Sequence, residues 1–184
     1  GAPTITASVA AGLEYDRGRI WFPRQWYLGF RSALRAWHAE LQQSEGHYLP
    51  AWPPDIEVMF DKRLCHAYFK DSHIPIPPAL EPVSCYDDLT TRMQQRQWER
   101  AFVKLAHGSS ASGALALQRH RGRVTAFTTV ERVTANGVVR LYNARPVRTT
   151  SDEDEIRCLV DALAPHRVQV EQWLPKAASR RGVF

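Results

Sequence analysis

The feature that most constrains the fold is a change in hydrophobic period near residue 101. Before it, apolar residues recur mainly at helical spacing, whereas after it short runs alternate as strands do. Strands are predicted over residues 101–106, 114–120, 123–133 and 138–143. Arg121-Gly122 and Asn136-Gly137 separate successive strands, and Asn-Gly is a strong signal for a tight hairpin. The pattern therefore predicts an antiparallel meander.

Helices are predicted on both sides of the meander, over 27–43, 61–71, 84–97 and from Ser151 onward. Asp61 is a candidate N-cap, and the acids of 152–155 suit the first turn of the last helix. That helix carries an apolar stripe of Ile156, Leu159, Val160 and Leu163. Val168–Leu174 predicts a final strand, while residues 1–24 predict loops or a short strand. The predicted class is α+β, an antiparallel sheet packed with helices and preceded by a partial α/β segment.

Composition limits the kinds of partner. Hydrophobic residues make up 44% of the 184 positions, and no apolar run approaches the roughly 20 residues that cross a bilayer. Lysine and arginine number 24 against 19 acids, a net charge of +5 that favours anionic partners. The three cysteines, Cys65, Cys85 and Cys158, are widely spaced, which indicates a reducing, cytoplasmic setting.

The segment with the clearest chemistry is Phe102–Gly113. Lys104 lies inside a short apolar strand, on the face of Phe102, and a half-buried ammonium is costly unless an anion meets it. The loop that follows contains Gly108, Ser109, Ser110, Ser112 and Gly113. Small residues let backbone N–H groups approach phosphate oxygens, and serine hydroxyls add donors. A flexible loop beside a lysine that reaches out of the sheet is the other interpretation.

The second informative segment is Val170–Lys176, in which Pro175 ends the predicted strand. Backbone donors and acceptors beside apolar side chains suit an adenine ring. An ordinary strand end is the alternative interpretation of this segment.

Together these segments resemble the ATP-grasp superfamily, such as D-alanine–D-alanine ligase and related carboxylate–amine ligases. The similarity begins at Phe60-Asp-Lys-Arg63 and continues through His73-Ile-Pro-Ile-Pro77. It extends through Phe102-Val-Lys104 with its Gly/Ser loop to Glu171-Gln-Trp-Leu174. The order and spacing agree over residues 58–178, and four modest motifs in order are more specific than any one of them.

The resemblance implies a role for each matching position. Lys62 and Lys104 would contact the phosphates of ATP, and Glu171 would accept from the adenine amino group. The mobile loop over the phosphates would comprise His107, Gly108, Ser109, Ser110, Ser112 and Gly113. The backbone of Gln172, Trp173 and Leu174 would read the ring edge, with Lys176 at the mouth of the site. The implied reaction activates a carboxylate as an acylphosphate for attack by an amine or similar nucleophile.

The resemblance has gaps. The family's Mg²⁺ ligands lie on a second subdomain, and no ribose-binding acid is evident at 177–179. We therefore expect a fragment: a remnant of a preceding region at 1–54, a nucleotide-binding subdomain at 55–176, and a truncated link at 177–184. Catalytic residues and the substrate acid are not assigned.

Other functions agree with parts of the same sequence to different degrees. A catalytically inactive nucleotide-binding module would share the same motifs. In a nucleic-acid module the arginines and six tryptophans would supply charge and stacking, but the tryptophans are spread along the chain. The scattered histidines and cysteines argue against a metal site in this chain. A serine hydrolase is discounted because no GxSxG motif is present.

Overall fold

The structure is a computed structural model that describes residues 5–46 and 48–175. It mixes helices with a five-stranded antiparallel sheet. The strands are β1 (Arg100–Leu105), β2 (Leu115–His120), β3 (Arg123–Ala135), β4 (Val138–Thr150) and β5 (Val168–Gln172). They lie in the order β4-β3-β2-β1-β5, so the predicted meander is confirmed and β5 joins it beside β1.

Both predicted hairpin turns are present. Arg121 and Gly122 have φ of 49° and 79°, and Asn136 and Gly137 have φ of 52° and 73°. Two successive residues with positive φ match the turn whose twist suits adjoining antiparallel strands. β4 runs past the predicted end at 143, and it tolerates Pro146 because it is an edge strand.

The helices are α1 (Ala7–Ala11), α2 (Pro23–Leu41), α3 (Pro53–Phe60), α4 (Lys62–Asp71), α5 (Tyr86–Gln95) and α6 (Glu153–Leu163). The start of α4 is as predicted, because the Asp61 carboxylate accepts from the backbone N–H groups of Arg63 and Leu64 at 3.0 and 3.4 Å. At α6 the cap is Asp152 rather than Ser151. In the described part of the chain, none of the helices is long and apolar enough to cross a membrane.

The first part of the chain agrees with the sequence only in part: residues 12–22 lie in loops and α2 matches the helix predicted over 27–43, but the expected partial α/β segment contains no named strand within residues 5–46 and 48–54. Residues 7–11 form α1, and the proline break at 50–54 leads directly into α3. Within described residues 5–46 and 48–54, Arg19 is the single bridge position, paired with Tyr142 at the edge of β4. Two proline residues, Pro23 and Pro53, open helices instead of ending them, because the first helical turn needs no N–H partner.

The two faces of the sheet have different environments. Alternate residues of β1, Ala101, Val103 and Leu105, are buried in a core that α5 and α6 cover. The other face carries Phe102 and Lys104 and, from β5, Gln169 and Glu171. Side chains of α4 line cavities together with these residues. We call the first the core face and the second the cavity face.

Candidate functional site

Lys104 lies on the cavity face, and the negative charge that its ammonium was expected to meet is supplied by a side chain of the protein, Glu171. Its ammonium donates to the Glu171 carboxylate at 2.5 Å and lies 5.2 Å from the centre of the Phe102 ring. The Lys104 side chain is 30% exposed, so it is neither in the core nor free in solvent. Strand alternation put Lys104 on this face, and the pairing of β1 with β5 puts Glu171 within its reach.

Lys62 brings a second ammonium to the same place. Its Nζ donates to the carbonyl of Gly108 at 2.5 Å, and its backbone N–H donates to the carbonyl of Ala106 at 2.9 Å. Burial lowers the pKa of Lys62, and the positive charge of Lys104 lowers it further. Because the ammonium groups of Lys62 and Lys104 lie close enough for one charge to shift the pKa of the other, an anion bound between them would be stabilised.

A cavity of about 290 Å³ lies between the lysines and the Gly/Ser loop. Its walls are Lys62, Phe102, Lys104, Ala114 and the loop residues 108–112. In the described part of the chain, the hydroxyls of Ser109, Ser110 and Ser112 make no hydrogen bond to another residue. The structure thus brings together two ammonium groups and three unpaired hydroxyls around one cavity.

Gly113 closes this loop by packing. Its φ is 63°, and a Cβ there would come within 2.5 Å of Leu105 Cδ1. That close approach explains why the loop ends in glycine. Gly113 therefore contacts the apolar interior below the loop.

His107 lies apart from the open part of the loop. It is 3% exposed, its ring stacks on Tyr27 with centroids 3.6 Å apart, and Arg24 Nη1 donates to its Nε2 at 2.7 Å. Because a guanidinium only donates, Nε2 is the unprotonated nitrogen and Nδ1 carries the proton toward Asp61 Oδ2 at 3.6 Å. Burial lowers the pKa of His107 to about 4. His107 thus ties α2 and the start of α4 to the end of β1.

A second cavity, of about 350 Å³, adjoins the first and shares Lys62 and Lys104 as walls. Its other lining residues are Met59, Cys65, His66, Phe69, Ile76, Pro77 and Glu171. Most of these surfaces are apolar. Of the α4 residues in this cavity, Lys62 was predicted as a site residue but Cys65, His66 and Phe69 were not, although Cys65 and Phe69 lie four positions apart and so share one face of the helix.

Two backbone N–H groups that follow Glu171 already form hydrogen bonds within the protein. The N–H of Gln172 donates to the Pro78 carbonyl at 2.8 Å, and the N–H of Trp173 donates to the Arg100 carbonyl at 3.2 Å. The carbonyl of Gln172 points to the same side as its N–H, where Pro78 has no N–H to offer. An acceptor therefore faces outward at this strand edge.

The remaining residues of this segment differ in environment. The indole of Trp173 packs against Phe102 and Phe127, with ring centroids 5.1 and 6.2 Å away. Leu174 is exposed. Lys176 lies outside the described residues, so its predicted place at the mouth of the site stays a prediction.

Within the described residues, no group of three or more histidine, cysteine or acidic side chains is arranged to hold a metal ion. Comparison of the chain with protein-family models, with curated proteins and with solved structures found no match.

Proposed function

We propose that this chain binds ATP across the two adjoining cavities, as the nucleotide-binding subdomain of an ATP-grasp ligase. The observation that carries the proposal is that Lys62 and Lys104 converge beneath the Gly/Ser loop and also line the neighbouring apolar cavity. Residues from four separated motifs of the sequence lie around this one place.

The donor set of the first cavity fits a polyphosphate. Two ammonium groups and three unpaired serine hydroxyls supply donors and positive charge, while Gly108 leaves backbone close to the space. The Gly108 carbonyl that now accepts from Lys62 is a weaker partner than a phosphate oxygen, since ionic hydrogen bonds are roughly twice as strong as neutral ones. Phosphate would therefore draw Lys62 into the cavity.

The second cavity fits the base. Its apolar side chains, including Phe69 and Ile76, would cover a flat aromatic ring. The outward carbonyl of Gln172 and the carboxylate of Glu171 would accept from an exocyclic amino group. Lys104 would then stand between base and phosphates, still paired with Glu171.

The described residues do not fit a magnesium centre, since they include no suitable group of acidic side chains. The proposed role of this chain is to bind and orient ATP. Formation of an acylphosphate from a carboxylate, and its attack by an amine, is what the family resemblance implies for the complete ligase.

Calorimetric titration of ADP with Mg²⁺ tests the proposal. Lys104→Ala should weaken binding at least tenfold, roughly 1.4 kcal/mol, because a charge-assisted hydrogen bond is lost. The matched control is Arg145→Ala, which removes an exposed cation of β4 outside both cavities. Equal affinities for wild type and a folded Lys104→Ala protein would contradict the site. Equal losses of ADP affinity in both variants would indicate that ADP is attracted nonspecifically to the positive charge of the protein. Competition between single-stranded DNA and ADP would indicate the same.

A further inference from the structure

A third cavity, of about 360 Å³, lies on the other flank of α4. It has no lining residue in common with the first cavity and shares His66 with the second, and all three border α4. Its polar and charged lining residues are Asp61, Arg63, His66, Lys70, Glu81, Arg167 and Gln169. Nothing in the proposed function uses this space.

The base of the cavity contains an unpaired polar side chain. Gln169 is 4% exposed, and its buried Nε2 has no acceptor within the described part of the chain. A buried donor without an acceptor costs about 1–3 kcal/mol. An apolar residue would fill this position of β5 without that cost, so the amide is expected to have a partner that is not part of the chain.

Positive charge surrounds the same space. Among the described residues, Arg63, Lys70 and Arg167 form no ion pair. The nearest buried carboxylate, Asp61, is already engaged, because one oxygen caps α4 and the other faces His107.

The start of α4 adds to this charge. The positive end of a helix favours acids in its first turn, yet the first turn of α4 contains none and begins with Lys62 and Arg63. Lys62 lines the two cavities on one flank, whereas Arg63 lines the third cavity on the other. Each cation placed against the helix dipole therefore borders a cavity that an anion could enter.

We propose that the third cavity binds a small oxyanion, a carboxylate or phosphate group, through Arg63, Arg167 and the Gln169 amide. The anion would offset the charge of the two guanidinium groups, and a small rotation of the Gln169 side chain would bring the enclosed Nε2 into contact with it as the missing acceptor. Glu81, which is exposed at the rim, would limit the site to ligands of modest charge. This inference does not depend on ATP binding.

The experiment titrates sodium phosphate and, separately, sodium succinate into the full chain by calorimetry at constant ionic strength. We expect saturable binding of at least one of them. Arg63→Gln and Gln169→Leu should each weaken it tenfold or more. Arg145→Gln, which removes an exposed arginine of β4, should leave it unchanged. The ligand that binds more tightly identifies the group as planar or tetrahedral.

Three results would overturn the proposal. The first is no saturable binding of either ion. The second is an equal loss in Arg145→Gln, because the attraction would then come from net charge alone. The third is binding abolished by Lys104→Ala but kept by Arg63→Gln, which would assign the ion to the first cavity. Arg63 lies on the surface of α4, so this variant still tests the site if Gln169→Leu fails to fold.

Discussion

The two faces of the sheet differ in what lies between the sheet and its helices, which are α5 and α6 on the core face and α4 on the cavity face. On the core face, α6 buries Ile156, Leu159, Val160 and Leu163 completely. On the cavity face, none of the described residues of α4 is fully buried, and the sheet beneath presents Lys104, Gln169 and Glu171. The core face is therefore closely packed with apolar side chains, whereas the cavity face leaves space around charged and amide groups.

The difference follows from what each face can bury at little cost. Apolar side chains gain free energy in proportion to the area removed from water, so the core face closes tightly. Charged and amide groups lose hydration unless they find partners, so a face that carries them leaves space between helix and sheet. Lys104 finds Glu171, whereas Gln169 finds no acceptor.

The largest effect on stability should come from truncating a buried leucine, and it should distinguish α6 from α4. Leu159→Ala should lower the free energy of unfolding by about 2–5 kcal/mol, because Leu159 is 0% exposed and its loss leaves a cavity. Leu64→Ala makes the same chemical change in α4, where the side chain is 43% exposed, and should cost less than about 1 kcal/mol. Urea denaturation measures both. Similar losses would show that α4 is packed as tightly as α6.

A smaller effect should appear with pH, at the junction where His107 holds α2 and α4 to the sheet. The folded pKa of about 4 is below the ordinary value of 6.5, so the folded state resists protonation. The stabilisation that comes from keeping His107 neutral is fully present above pH 6.5 and is lost as the pH falls toward 4. The free energy of unfolding should therefore decrease by about 2 kcal/mol between pH 7.5 and pH 5. Denaturation of the wild type and of His107→Gln at both pH values measures this.

The His107→Gln protein should lose most of that pH dependence. Burial also lowers the pKa of His166, so a smaller dependence of the same sign should remain. A wild-type protein equally stable at both pH values would contradict the burial of a neutral His107.

The smallest effect on stability is expected at the ion pair of the cavity face. Glu171→Gln should change the free energy of unfolding by about 1 kcal/mol or less, since partly exposed pairs contribute little. The measurement is again urea denaturation, with Glu155→Gln, which breaks the pair of Arg148 and Glu155, as the matched control. A loss near that of Leu159→Ala would mean that the pair holds the fold together.

Much of the fold could be predicted from local patterns. The hairpin at Asn136-Gly137, the cap at Asp61 and the apolar stripe of α6 each depend on residues a few positions apart, and all three are confirmed. The helix α1 and the continuation of β4 to Thr150 were not predicted. Those elements depend on packing and strand pairing more than on a strong local pattern.

The candidate site divides in the same way. Lys104 could be predicted as a site residue because a lysine is unusual inside an apolar strand. The serines could be predicted because they follow that strand in a loop of small residues. The burial of His107 against Tyr27 could not be predicted, because the two rings come from elements 80 positions apart in sequence, 27 to 107. The third cavity gave no sequence signal, since Arg63 lies 104 positions before Arg167 (167 − 63) and neither Arg167 nor Gln169 belongs to a motif.

The sequence by itself determined most of the elements, the two hairpin turns and which residues of β1 share a face, because these follow from backbone geometry and short-range periodicity. Tertiary structure alone decided which charges meet. Lys62 reaches Gly108 across 46 positions, and Lys104 reaches Glu171 across 67. Pairs of this kind depend on how strands and helices pack, since burial of the apolar side chains selects the arrangement and the polar groups must find partners within it.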